Sequence, residues 1–224
     1  MRPHAPALDG LRLVAATLVV LTHAAFLSGA VTSAGIWGHL MGRGDFGVAI
    51  FFVLSGYLLH RRFIRDRQAF ALPHLRAYAV RRAARVLPAY WLVLAVVVVA
   101  TRPSVRDVVL QSLGLQIYVA DSHLPAFSQS WSIATELSFY AVLPLAALGL
   151  ARARRLDPGW PLTILAWFLP VGIVLTWLSS SADLLRDVPY ERWLPARSAS
   201  FALGMLIAEA CARPDHPVSR YLTR

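Results

Sequence analysis

Three ionisable side chains stand in sequence that is otherwise almost wholly apolar: Arg12 and His23 in the run that opens at Leu8, and Glu136 in the run after Trp131. Placing an ionisable group at the centre of a membrane helix costs about 2.5–3.5 kcal/mol on insertion scales, so each is a functional candidate. Arg12 and His23 are 11 positions apart. At about 100° per residue that is three helical turns, which puts both on nearly one face, separated by about 16 Å along the axis. One face would then present a fixed cation at one end and a titratable imidazole further along. Ser132 and Glu136 are spaced i, i+4, so their side chains adjoin on a helix. A Glu136–His23 pair at compatible depth would fix the imidazole tautomer and raise its basicity, the arrangement that activates a hydroxyl for acyl transfer. Plainer roles compete. Arg12 is also what a snorkelling anchor looks like, His23 a core histidine bonded to a neighbouring helix, and Glu136 the partner of an outer arginine such as Arg43 or Arg102.

A second group is cationic. Arg81, Arg82 and Arg85 precede Pro88 in a stretch with few acids. Guanidinium forks match phosphate oxygens in two-pronged geometry, so these residues could hold a phosphorylated substrate. A topology signal with anionic-lipid contact explains them equally well. Ser55-Gly56, inside Phe51–Leu59, is simplest as a site of close helix approach.

These side chains need apolar elements to carry them. Of 224 residues, 57% are hydrophobic and 15% charged, with a mean hydropathy of +0.55; soluble domains carry about 25% charged residues. The surrounding medium is therefore expected to be lipid. Six runs are long enough, or nearly so, to cross it: 8–29, 44–60, 86–100, 133–151, 160–180 and 194–212. A seventh, 108–120, is interrupted by Gly114 and carries Gln111, Ser112 and Gln116, which predicts an interfacial or re-entrant piece. The expected fold is all-α, a polytopic bundle of about six transmembrane helices plus that short segment. All 22 basic residues are arginine, and the net charge is +10. They gather between apolar runs, in 61–85 and at Arg152, Arg154 and Arg155, which points to membrane topology and away from nucleic acid. Positive-inside counting puts both clusters in the cytoplasm, together with the N- and C-termini of a multi-pass protein of the cell membrane. Cys211, the sole cysteine, cannot close an internal disulfide, and no metal site is expected.

Four motifs, in order, resemble the acyltransferase-3 family, bacterial membrane acyltransferases that decorate glycans and some secondary metabolites. They are Leu8-Asp9-Gly10-Leu11-Arg12 with His23, Phe51 to Leu59 (FFVLSGYLL), Arg81-Arg82-x-x-Arg85 before Leu87-Pro88, and Trp131-Ser132-Ile133-x-x-Glu136 followed by Phe139-Tyr140 and Leu143-Pro144. Gly204-Met205 resembles a later element. Leu137 and Ser138 stand where many members have Glu-Gln, so the carboxylate role rests on Glu136. Members carry about ten spans, so residues 1–224 are expected to form the N-terminal portion of the family's domain. The resemblance implies an acyl-CoA donor reaching the site from the cytoplasm, no bound cofactor, and a hydroxylated glycan or small-molecule acceptor on the outer side. His23 and Glu136 would be catalytic, and Arg12, Arg81, Arg82, Arg85 and Ser132 would bind substrate. A catalytically silent membrane scaffold and a proton-coupled transporter using Arg12, His23 and Glu136 as a relay are the alternatives.

Overall fold

The computed structural model describes residues 6–33, 35–42, 46–122, 124–181 and 189–213, and among them every regular element is helical. Five helices are long and apolar enough to cross a bilayer. They are α1 (Pro6–Leu27), α4 (Phe46–Arg65), α5 (Leu72–Thr101), α7 (Trp131–Leu156, entered through a 3-10 turn at Pro125–Ser130) and α8 (Trp160–Ser181). Two short helices, α2 (Ala30–Ser33) and α3 (Gly35–Gly42), follow α1, and α6 (Val105–Leu113) follows α5. The sixth expected span is α9 (Leu194–Cys211). It is the shortest of the six and carries both Arg197 and Glu209. It survives as a helix because it is enclosed by protein: Phe201, Ala202, Gly204, Met205 and Ala208 are all buried.

The expected arginine loop over 61–85 is for the most part not a loop. Helix α4 continues to Arg65, a 3-10 turn occupies Arg67–Phe70, and α5 starts at Leu72 with Pro73 in its first turn. Alanine, leucine and arginine are strong helix formers, and a proline in the first turn loses no helical hydrogen bond. The run 86–100 is therefore the second part of a 30-residue helix, about 45 Å long against a hydrocarbon core of about 30 Å. Arg81, Arg82 and Arg85 ride on its first half. The interrupted run 108–120 is the short helix α6, capped at Ser104 and closed at Gly114 with φ 70°, then a 3-10 turn at Gln116–Tyr118. It is too short to cross.

Helix α4 is the hub, packed against α1, α7 and α9. At its crossing with α9, a Cβ on Gly56 would collide with the Phe201 carbonyl, and one on Gly204 with the Val53 carbonyl. Small residues at a crossing let backbones approach, which is what holds helices together where lipid is as apolar as leucine. Phe201 stacks on Phe52 (centroids 4.5 Å apart) and Phe139 (4.0 Å), tying α9 to α4 and α7. Trp131, which reads as an interface anchor, is also packed: it meets Phe52 edge-on and lies under the Arg197 guanidinium. The outward faces of α1, α5 and α8 expose Leu13, Val20, Leu92, Val96, Trp167 and Ile173, the surface of a protein solvated by lipid.

Candidate active site

Ser55 lies midway along α4, and Glu136 lies in the second turn of α7. Ser55 Oγ donates to Glu136 Oε1 at 2.6 Å, and the Tyr140 hydroxyl, one turn further along α7, donates to the same oxygen at 2.6 Å. Hydrogen bonds to an ionised acceptor are short and strong, so the carboxylate is held by one of its two oxygens. No described hydrogen bond ends on Oε2. The side chains of Ser55, Glu136 and Tyr140 line a cavity of about 200 Å³ together with Arg12, Arg82 and Arg85. Apolar side chains of α4, Leu54 and Leu58 among them, complete its wall.

Three guanidiniums thus face one carboxylate. Arg12 is ion-paired to Asp9, one turn back on α1. Arg82 is different: its Nε is buried and meets no hydrogen-bond acceptor among the described residues. A buried donor without a partner costs about 1–3 kcal/mol. An anion entering the cavity would give this donor an acceptor. Arg82 and Arg85 are three apart and so share a helix face. The exposed Arg81 does not line the cavity, and neither does Ser132, whose hydroxyl bonds the Gln129 carbonyl at 3.1 Å.

His23 is placed away from this wall. Its Nδ1 lies 2.7 Å from the Val19 carbonyl, one turn back on α1. A carbonyl only accepts, so Nδ1 carries the hydrogen and the neutral ring keeps its lone pair on Nε2. The tautomer is fixed by backbone, a role that the sequence suggested for Glu136. Neither described hydrogen bond of Glu136 goes to His23. The helix positions agree: Arg12 shares the cavity with Glu136, and His23 is about 16 Å beyond Arg12 along α1. Among the outer arginines weighed as partners for Glu136, Arg102 closes α5 in a left-handed conformation, and Arg43 is outside the described residues.

Ser55 and Tyr140 were within reach of sequence reasoning as polar groups in apolar spans, yet Ser55 reads first as a packing residue. A second buried cluster had the same signal. Glu209 on α9 accepts from His60 Nε2 on α4 at 2.8 Å, and the Arg154 guanidinium on α7 bonds both of its oxygens. His60 and Glu209 are each 1% exposed.

A helical bundle that keeps a carboxylate and three guanidiniums in a cavity between lipid-facing helices is a polytopic membrane protein with a built polar site. Residues 6–217 match the family model for the acyltransferase-3 domain, and the chain belongs to that family. It is 28% identical over 162 residues to the peptidoglycan O-acetyltransferase OatA of Listeria monocytogenes, covering 64% of this chain and 24% of that one. It is 29% identical over 169 residues to BcsY of Komagataeibacter xylinus, named as a membrane-bound transacylase, covering 66% of this chain and 39% of that one. A Staphylococcus aureus protein named as an O-acetyltransferase is 27% identical over 200 residues, covering 80% of this chain and 30% of its own. The chain thus spans well under half the length of these relatives. No solved structure matches it at a significant level.

Proposed function

We propose that the chain supplies the catalytic helices of a membrane O-acyltransferase, which moves an acyl group, acetyl in the first instance, from acyl-CoA to a hydroxyl of a glycan or small molecule. The carrying observation is the cavity itself: a carboxylate satisfied on one oxygen only, opposite Arg82 and Arg85, which meet no carboxylate within salt-bridge distance among the described residues. Arg82 and Arg85 would take phosphates of the donor, with Arg12 alongside, and the pantetheine arm would run along the Arg12–His23 face. The arginine-rich helix ends would lie on the cytoplasmic side, with both termini, by the positive-inside rule. His23, its Nδ1–H engaged by Val19, would use Nε2 to take the proton of the acceptor hydroxyl. That oxygen then bonds to the thioester carbonyl carbon as the carbon–sulfur bond breaks and the CoA thiolate leaves. Glu136, at the Arg12 end of that face, would offer Oε2 to the bound donor while Ser55 and Tyr140 hold Oε1. Two features support this reading: the family membership, and the names of relatives that are O-acetyltransferases or transacylases.

General-base assistance is worth about 10²–10⁴-fold. His23→Ala is therefore expected to lower thiol release from acetyl-CoA in proteoliposomes by that factor, with membrane insertion unchanged. Wild-type turnover in this variant would remove His23 from the reaction.

A further inference from the structure

We propose that the arginine-rich ends of α4 and α7 form a second site, separate from the catalytic cavity, that binds the headgroup of an anionic phospholipid. It rests on the membrane placement of the helices and not on the acyl-transfer reading. A cavity of about 460 Å³ lies there, and it shares no lining residue with the one around Glu136. One wall is apolar, made by Phe63, Ile64, Phe70 and Leu148, and the other is cationic, made by Arg152 and Arg155 beside Arg154.

The three arginines are not equivalent. Arg154 is committed to the buried Glu209. Arg152 and Arg155 are exposed and make no hydrogen bond or ion pair among the described residues. They are three positions apart on one helix face, where like charges repel. The acids near these helix ends do not answer them: Asp66 accepts from the Gln68 amide at 2.9 Å, and Asp157 from the Gly159 amide. The favourable dipole at a helix C-terminus accounts for cations there, but not for an apolar cleft beneath them. Leu148 lies on the same face, one turn deeper: about 6 Å below Arg152 and about 10 Å below Arg155. Cations at headgroup depth above an apolar slot match a phosphate carried on acyl chains. A soluble phosphate would leave the slot unused.

The test is a binding titration of the detergent-purified chain with phosphatidylglycerol, phosphatidylcholine and inorganic phosphate, read by native mass spectrometry. Phosphatidylglycerol is expected to bind at least tenfold tighter than phosphatidylcholine. Each surface arginine contributes about 1 kcal/mol towards an anionic headgroup. Arg152→Gln and Arg155→Gln should therefore each weaken phosphatidylglycerol about fivefold, and together roughly 25-fold. Arg106→Gln removes an exposed arginine from the opposite end of the bundle and should change nothing. Both single variants are read separately, so the test does not depend on the double variant folding. Equal affinity for the two lipids, or the same loss in Arg106→Gln, would overturn the proposal. Displacement of phosphatidylglycerol by millimolar inorganic phosphate would assign the site to free phosphate and overturn it too.

Discussion

From two positions five residues apart, helix α4 touches two carboxylates, Glu136 partly buried and Glu209 fully buried, and it treats them differently. At Ser55 it meets Glu136 with a neutral hydroxyl, and Tyr140 adds a second to the same oxygen. At His60 it meets Glu209 with an imidazole, and Arg154 closes over both oxygens from α7. In the Glu209 cluster both carboxylate oxygens are engaged by basic partners and His60 and Glu209 are sealed from solvent; what is left over is His60 Nδ1, a buried ring nitrogen with no hydrogen-bond partner among the described residues. The Glu136 cluster is unfinished, with Oε2 unclaimed and Arg82 lacking an acceptor at its buried Nε. A closed buried ion cluster fixes which helices sit together, whereas breaking one by removing a partner leaves a stranded charge. An open cluster does little for the fold and keeps its charges for a ligand. Under the proposed function, that contrast gives architecture to Glu209 and chemistry to Glu136.

The strongest way to break that contrast is the same substitution at both positions. Glu136→Ala should reduce acyl transfer by about 10²–10⁴-fold, while the unfolding midpoint in detergent stays near that of the parent chain. Glu209→Ala should do the reverse. It leaves the buried His60 and the half-buried Arg154 without their acid, at a cost of about 3–5 kcal/mol, and the molecules that remain folded should keep their turnover. If the two variants exchanged phenotypes, with the loss of stability at Glu136, the division would be wrong. A smaller effect is expected at Arg82. Removing a charged hydrogen-bond donor to a bound phosphate costs about 1.5–3 kcal/mol, so Arg82→Ala should raise the apparent KM for acyl-CoA at least tenfold with only a modest loss in kcat. An unchanged KM would return Arg82 to a topological role.

The same contrast shows what the sequence could convey. The five long spans were legible because lipid demands continuous apolar runs, and that signal is local. The boundaries of α4 and α5 were less so. A run of arginines counts as polar in any hydropathy reading, yet arginine is also a good helix former with an apolar stem that lets a helix continue past the lipid boundary. Arg12, Arg82, Arg85 and Glu136 were singled out by charge within or beside apolar runs, and the fold does bring them round one cavity. The partners were not legible. Whether Glu136 meets His23 or Ser55 depends on how α1, α4 and α7 are staggered, and stagger is set by contacts such as Gly56 on Phe201, which lie far apart in sequence. Glu209 and His60 are not legible as partners for the same reason. Each is a single polar residue near the end of an apolar run, and only packing across 149 positions makes them a pair.

The finest test concerns how Glu136 is held. Ser55 and Tyr140 converge on one carboxylate oxygen from different helices, so each partly covers for the other. Loss of either hydroxyl removes a hydrogen bond to a charged acceptor but leaves its twin, and Oε1 stays engaged. Ser55→Ala and Tyr140→Phe are therefore each expected to lower kcat only about fivefold, near 1 kcal/mol of transition-state stabilisation. The double variant frees the carboxylate to rotate, and its loss should exceed the product of the singles, since groups sharing one partner do not act additively. A strictly multiplicative loss would mean that the two hydroxyls act independently. Ser55 would then be what its sequence context first suggests, a small residue that lets α4 pack closely, and the geometry of Glu136 would be set by α7 alone.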